Sequence, residues 1–149
     1  MRAFRHKPGV VVNVEQSLTP ALGAFGRWSA NDGKTETFEF TDVTRSLSSG
    51  LALRGSAWRR RDDTLGVAVV RNVLSKAGEA YLAHGGLGLL IGDGQLPAPG
   101  PERIFEGYYE LKAWTHGAIT FDAQRFWRPA YNRQRGPLTV LGLRLHAAI

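Results

Sequence analysis

Residues 102–124 read ERIFEGYYELKAWTHGAITFDAQ, and their rhythm decides the fold. Phe105, Tyr109 and Leu111 alternate with Glu106, Tyr108, Glu110 and Lys112. After a short break, Ile119, Phe121 and Ala123 alternate with Thr120, Asp122 and Gln124. A period of two puts successive side chains on opposite faces of a strand, here one apolar and one polar. A one-residue register shift would exchange Tyr108 and Tyr109 between those faces. Glu102, Glu106 and Glu110 stand four apart, which on a helix would stack three carboxylates. The apolar set at Phe105, Tyr109 and Leu111 favours the strand, on which the same spacing also shares one face. Glycoside hydrolysis needs two carboxylates about 5–10 Å apart in a cleft, and nothing in this pattern fixes such a pair. No catalytic residue is assigned, and the chain is not read as an enzyme.

The same rhythm extends in both directions. Val10, Val12 and Val14 alternate with Val11, Asn13, Glu15 and Ser17, and a Thr19-Pro20 turn follows. Leu22, Ala24 and Trp28 alternate with Phe25, Arg27 and Ser29 up to Asn31-Asp32-Gly33, a strong hairpin signal. Glu36, Phe38 and Phe40 then oppose Thr37, Glu39 and Thr41, and Leu47, Leu51 and Leu53 oppose Ser46, Ser48, Gly50, Ala52 and Arg54. Arg59 to Asp63 reads as a short charged turn before Leu65, Val67 and Val69. The last run sets Leu141, Leu143, Leu145 and Ala147 against Val140, Gly142, Arg144 and His146. The count is seven or eight strands, depending on whether Thr35 to Val43 forms its own. Ser75 to Pro101 is the one long irregular stretch, with a short helix expected around Ala77 to Ala83; long loops in compact proteins are usually functional.

A length of 149 residues bounds the chain to one domain, and 43% hydrophobic with 21% charged residues excludes a disordered chain. Cysteine is absent, which removes disulfide scaffolds, thiolate zinc sites and cysteine nucleophiles. The net charge of +6 leaves nucleic acid, anionic lipid or an anionic solute open as partners. Against nucleic acid, the Arg59-Arg60-Arg61 run is followed at once by Asp62-Asp63, and no binding module is recognisable. His6, His84 and His116 have no second ligand at metal spacing. Gly86, Gly88 and Gly92 are followed by Asp93-Gly94 and prolines where a dinucleotide loop needs a helix. No cofactor is expected. The longest uncharged stretch, Ala80 to Gly92, is short of a spanning helix. The basic start at Arg2, Arg5 and Lys7 leads into Val10-Val11-Val12, too short for a signal-peptide core, so no export signal is expected in the chain itself. Two architectures fit the alternation. One is a soluble barrel or sandwich with the apolar faces inward; the other is a membrane barrel with them outward.

The motifs Glu102-Arg103-Ile104-Phe105-Glu106-Gly107-Tyr108-Tyr109, Phe121-Asp122-Ala123-Gln124, Arg128-Pro129-Ala130-Tyr131-Asn132, Arg135-Gly136-Pro137 and Gly142-Leu143-Arg144-Leu145-His146 resemble the C-terminal part of the carbohydrate-selective porins of the OprB family. The turn Arg61 to Gly66 and the loop Gly85-Gly86…Gly92-Asp93-Gly94 are similar to that family too, so the resemblance runs from about Gly9 to Ile149. Arg128 departs from it, standing where the family commonly has Asn. The resemblance implies an all-β fold, an antiparallel transmembrane β-barrel in the bacterial outer membrane, through which sugars (mono- or oligosaccharides) diffuse passively. Residues 1–149 would form a C-terminal portion of about seven to eight strands, with a long loop at about 75–101 that folds towards the pore. Eight such strands could close into the smallest barrels, filled by side chains and not an open sugar channel; seven would need the missing barrel half or self-association to close. Arg54, Glu106, Tyr108, Glu110, Asp122, Gln124, Arg144 and His146 would line the pore, and lipid or lipopolysaccharide would surround it. The loops Ser75–Pro101 and Trp127–Pro137 would be external, the turns Arg59–Asp63 and Trp114–Gly117 periplasmic. The competing readings are a soluble β-barrel or sandwich that binds a ligand such as a glycan, and a truncated, non-functional porin remnant.

Overall fold

The computed structural model describes residues 6–35, 43–86 and 95–148. Seven strands form one antiparallel sheet in chain order: β1 (Gly9–Ser17), β2 (Leu22–Asn31), β3 (Arg45–Gly55), β4 (Arg60–Val73), β5 (Glu102–Trp114), β6 (Gly117–Trp127) and β7 (Leu138–Ala147). Among the described residues one α-helix, α1 (Lys76–Ala83), interrupts the β4–β5 connection. Each strand pairs with the one before it, so the sheet is a meander with three tight turns at one rim and three longer connections at the other. Among the described residues β1 pairs only with β2 and β7 only with β6, and the sheet does not close on itself.

The register extends each sequence alternation across the whole sheet. One row of cross-strand partners runs Ala24, Leu51, Val67, Gly107, Ala123, Leu141, and the next runs Gly23, Ala52, Gly66, Tyr108, Asp122, Gly142. One face is therefore mainly apolar and the other mainly small or polar, with exceptions that include Arg71, Arg103 and Arg125 on the first and Phe25, Val70, Ile104 and Phe126 on the second. On the interior strands β3, β4 and β6 the apolar face is the more exposed. Leu65, Val67 and Val69 of β4 are exposed, whereas Thr64, Ala68 and Val70 between them are half-covered and Gly66 is buried. β3 repeats this, with Leu47 and Leu51 exposed and Ser46, Ser48 and Gly50 half-covered. The polar face thus has the coverage expected of the inner side of a curled sheet. Burial of apolar side chains, the main driving force in a water-soluble fold, is absent from the outer faces of these strands.

A bulge adjusts the end of β5. Pairing steps from Lys112↔Ala118 to Trp114↔Gly117, and the extra residue turns Trp114 onto the apolar face at the turn rim. Its indole lies across Gly117, where an added Cβ would sit 1.9 Å from the ring. Trp28 and Trp127 stand on the same face at the loop rim. Ten residues of β6 separate the Gly117 and Trp127 rows, about 33 Å along the strand. With a barrel tilt of 35–45° that projects to about 25 Å, the height of the lipid-facing band of a membrane barrel between its aromatic girdles.

The buried apolar cluster lies off the sheet, at the loop rim. Leu74, Leu82, Leu96 and Tyr131 pack around α1. The helix begins at Ser75, whose hydroxyl accepts from Gly78 N at 2.9 Å and donates to Gly33 O at 2.6 Å. Ser75 N donates to Thr44 Oγ1 at 2.9 Å, so the β2–β3 and β4–β5 connections are held together. Chain 98–100 then pairs with the β6–β7 loop: Gly100 N donates to Tyr131 O and Arg133 N to Ala98 O. The centre of the long loop, 87–94, lies outside the described residues, so its expected approach to the pore and its glycines Gly88, Gly92 and Gly94 fall there. The alternation Glu36 to Thr41 lies outside them as well, which leaves seven strands among the described residues.

Two turn assignments are corrected. The residues Arg59 to Asp63 do not form the turn: it is Ser56–Arg59, closed by Arg59 N donating to Ser56 O with Arg59 left-handed at φ 63°, and Arg60 to Asp63 already belong to β4. Asn31-Asp32-Gly33 opens a longer connection to β3, whose first pair with β2 is Ala30↔Arg45. There Asn31 accepts from Gly33 N and donates to Val43 O.

Candidate functional site

The eight candidate residues all lie on the polar face. Cross-strand pairing links Arg54 to Thr64, Thr64 to Glu110, Glu110 to Thr120 and Thr120 to Arg144. Along this single row a carboxylate sits midway between two guanidinium groups, with a threonine on each side. Strands spaced about 4.8 Å apart place Arg54 and Arg144 about 19 Å apart along the sheet. Tyr108 and Asp122 share the next row, Glu106 and Gln124 the one after, and His146 faces Ala118 one row nearer the turn rim. The eight therefore occupy four successive rows, about 20 Å along the strands. Register also settles the tyrosines: Tyr108 is on the polar face with Asp122, and Tyr109 on the apolar face with Phe121.

Contacts within this face are polar and local. Gln124 Nε2 donates to Asp122 Oδ1 at 3.0 Å, and Glu106 lies within electrostatic reach of Asp122 and Arg144. Tyr108 has Glu110 and Glu106 as its charged neighbours. Its ring lies across Gly66 of β4; an added Cβ there would meet Tyr108 Cε1 at 2.1 Å. Phe25 lies across Gly50 of β3 in the same manner, at 2.4 Å. The two rings thus cover glycines on adjacent strands, where Gly50 pairs with Ala68 and Gly66 with Ala52.

Sequence reasoning missed a second polar group near the loop rim. Asn72 accepts from Ser46 Oγ at 2.8 Å and donates to Glu102 Oε1 at 3.1 Å. Glu102 Oε2 also accepts from Ala130 N at 3.0 Å, anchoring the β6–β7 loop. On β1 and β2, Arg27 Nε donates to Asn13 Oδ1 at 3.2 Å and Asn13 Nδ2 to Glu15 Oε1 at 3.1 Å. The parity of Ser46, Glu102, Asn13 and Arg27 was the only signal that placed them on this face.

Also missed was the arrangement around Asp63, which is 1% exposed on the apolar face at the turn rim. Arg60 Nε donates to Asp63 Oδ2 at 2.5 Å and Arg60 Nη2 to Asp63 Oδ1 at 3.2 Å; Lys112 N donates to Asp63 Oδ1 at 2.9 Å and the Tyr109 hydroxyl to Asp63 Oδ2. Trp58 Nε1 in turn donates to Tyr109 Oη at 3.1 Å. Every partner is a donor, so the carboxylate is fully paired, and the group staples the β3–β4 turn to β5. Among the described residues no three His, Asp or Glu side chains converge in a way that could hold a metal ion. No helix among them is long and apolar enough to cross a membrane, which says nothing of crossing by strands.

Such a face offers donors and acceptors in alternation across adjacent strands. Comparison with known proteins gives the family. The family model described as "Carbohydrate-selective porin, OprB family" matches residues 2–148. No curated protein and no solved structure matches the chain. Over nearly its whole length, in agreement with an all-β meander whose apolar face is the more exposed on the interior strands β3, β4 and β6, the chain belongs to the OprB family of carbohydrate-selective outer-membrane porins.

Proposed function

We propose that the polar face lines a water-filled pore through which mono- or oligosaccharides diffuse passively, with Arg54, Glu106, Tyr108, Glu110, Asp122, Gln124, Arg144 and His146 contacting the solute. The row Arg54–Thr64–Glu110–Thr120–Arg144 carries this reading. A sugar hydroxyl donates and accepts at once, so losing its water shell is cheap only where both partner types recur at close spacing. Guanidinium groups donate, the carboxylate accepts, and the threonine hydroxyls do either. Tyr108 and Phe25 add apolar edges for the C–H face of a sugar ring.

A pore requires the sheet edges to be closed, because unpaired backbone groups are not tolerated in hydrocarbon. With seven strands, β1 and β7 run in the same direction. Antiparallel closure therefore takes an odd number of further strands, whose two outer members both run the opposite way. A second copy in the same orientation would meet β1 and β7 in parallel, and so is a poorer complement. The orientation expected of such a barrel puts the three tight turns at the periplasmic rim and the long connections outside.

Liposome swelling in sugar solutions tests the reading. Arg54→Ala and Arg144→Ala, made in the closed barrel, should each change sugar flux. Unchanged flux and conductance in both would remove this row from the pore wall. Recovery of the natively folded chain from the soluble fraction without detergent would overturn the membrane assignment itself.

A further inference from the structure

At the loop rim the apolar face ends in a cleft of about 610 Å³ that the pore reading leaves without a role. Its lining includes five arginines, Arg71, Arg103, Arg128, Arg133 and Arg135, and no carboxylate. Leu47, Val69, Phe105 and Trp127 supply its apolar wall. Arg71 and Arg103 are direct cross-strand partners on β4 and β5. Like charges placed directly opposite destabilise a strand pair. Among the described residues neither has an ion-pair partner, and nor do Arg128 and Arg133.

The β6–β7 loop adds its cations at some conformational cost. Arg128 is left-handed at φ 56°, a region that glycine or asparagine occupies more readily. Gly100 makes room for the loop side chains, since an added Cβ there would meet Arg133 Nε at 2.8 Å and Arg128 Cδ at 3.4 Å. Repelling cations from two strands and one loop, gathered over aromatic and aliphatic side chains, complement a ligand that is anionic at one end and hydrocarbon at the other. Guanidinium groups match phosphate oxygens two by two. The cleft also sits in the row of Trp28 and Trp127, where a lipid head group meets the apolar band.

We propose that this loop-rim cleft seats the phosphorylated head group of a membrane glycolipid, with Arg71, Arg103, Arg128 and Arg133 on its phosphates and its acyl chains lying against Leu47, Val69 and Phe105. The proposal rests on the membrane-barrel reading for the site's surroundings, and its test separates the two. The dissociation constant of the purified full chain in detergent is measured for bis-phosphorylated lipid A, for its dephosphorylated analogue, and for inorganic phosphate. Removing charge-assisted hydrogen bonds of this kind should weaken binding about tenfold or more. That loss is expected for the dephosphorylated analogue and for Arg71→Gln/Arg103→Gln, with Arg71→Lys/Arg103→Lys falling between. If the strand variant fails to fold, Arg128→Gln/Arg133→Gln in the loop reads the same loss. Equal binding of both lipids, undiminished binding by a folded glutamine variant, or inorganic phosphate binding as tightly as the lipid would each overturn the proposal. Sugar flux is read in parallel: phosphate-dependent lipid binding without flux supports the glycolipid site while overturning the channel, and flux without such binding overturns the glycolipid site alone.

Discussion

The two faces of the sheet share every strand, every backbone hydrogen bond and every row spacing, yet they are built on opposite rules. On the apolar face of the interior strands, large side chains stand most exposed: Phe121 is 54% accessible and Val69 51%. On the polar face, the less accessible positions carry Glu106, Asp122 and Gln124. A water-soluble sheet would invert this, since buried polar groups cost free energy and buried apolar groups gain it. The difference teaches that the apolar face is built for a non-aqueous surrounding, as membership of an outer-membrane porin family requires, and that the polar face is the sheltered one.

An arginine placed at the middle of each face breaks or upholds that comparison most directly. Val67 lies in the row of Leu51, Gly107 and Ala123, midway between the tryptophan rows. Val67→Arg should cost about 2–4 kcal/mol in lipid vesicles, the penalty of a cation at the bilayer midplane. Its neighbour Ala68 is on the polar face opposite Glu106, and Ala68→Arg should cost much less and alter flux instead. Equal unfolding free energies for the two variants would show that both faces meet the same solvent.

How much of this the sequence discloses depends on range. A period of two is a local property, so the alternation around Phe105 and Glu106 reads out the strands and groups all eight candidate residues on one face. Periodicity is blind to which face meets lipid, because a greasy interior and a greasy exterior produce the same string. Family resemblance and then exposure supplied that choice. Non-local pairings were invisible. Asp63 and Tyr109 are 46 positions apart and Arg71 and Arg103 are 32 apart, so nothing near the charged run reveals that Asp63 is buried in β4. The same holds for Trp114, which simple alternation puts on the polar face and the bulge transfers to the other.

The staple at Asp63 carries the next largest effect. Asp63→Ala leaves Arg60, the Tyr109 hydroxyl and the Lys112 amide without their shared acceptor. The melting temperature in detergent should fall by several degrees, and protease should cut at Ser56–Arg59 first. Tyr109→Phe removes one donor and should fall less. A melting curve unchanged by Asp63→Ala would mean that β4 and β5 hold the turn without the carboxylate. The comparison here is between rims: the turn rim is fixed by one ionic group, the loop rim by the apolar cluster of Leu74, Leu82, Leu96 and Tyr131.

The glycines beneath aromatic rings sharpen the inner face further. An added Cβ at Gly50 would meet Phe25 Cε1 at 2.4 Å but also the backbone oxygen of Val67 at 2.6 Å. The ring can swing; the strand cannot. Gly50→Ala should therefore cost about 1–3 kcal/mol, as overpacking does. At Gly66 the close atoms all belong to the outer part of the Tyr108 ring, so Gly66→Ala should cost less and displace that ring on the polar face, changing sugar flux at nearly constant stability. If Gly66→Ala destabilises as much as Gly50→Ala while flux stays the same, Tyr108 is held rigidly and does not border the solute path.

The smallest effect concerns Arg128, and it has the opposite sign. A left-handed arginine costs about 1–2 kcal/mol relative to its preferred regions, and Ala130 and Tyr131 beside it are left-handed too, at φ 54° and 62°. Asn tolerates that region better, so Arg128→Asn should raise stability by up to about 1 kcal/mol in denaturant titration. A stabilising substitution means that the native side chain is kept for something other than folding. If the same variant binds phosphorylated lipid more weakly while sugar flux is unchanged, the two faces divide the work between membrane and solute even at their shared rim. If stability falls instead, the Arg128 side chain lying near Gly100 contributes to the loop's packing, and its charge in the cleft is secondary to that contact.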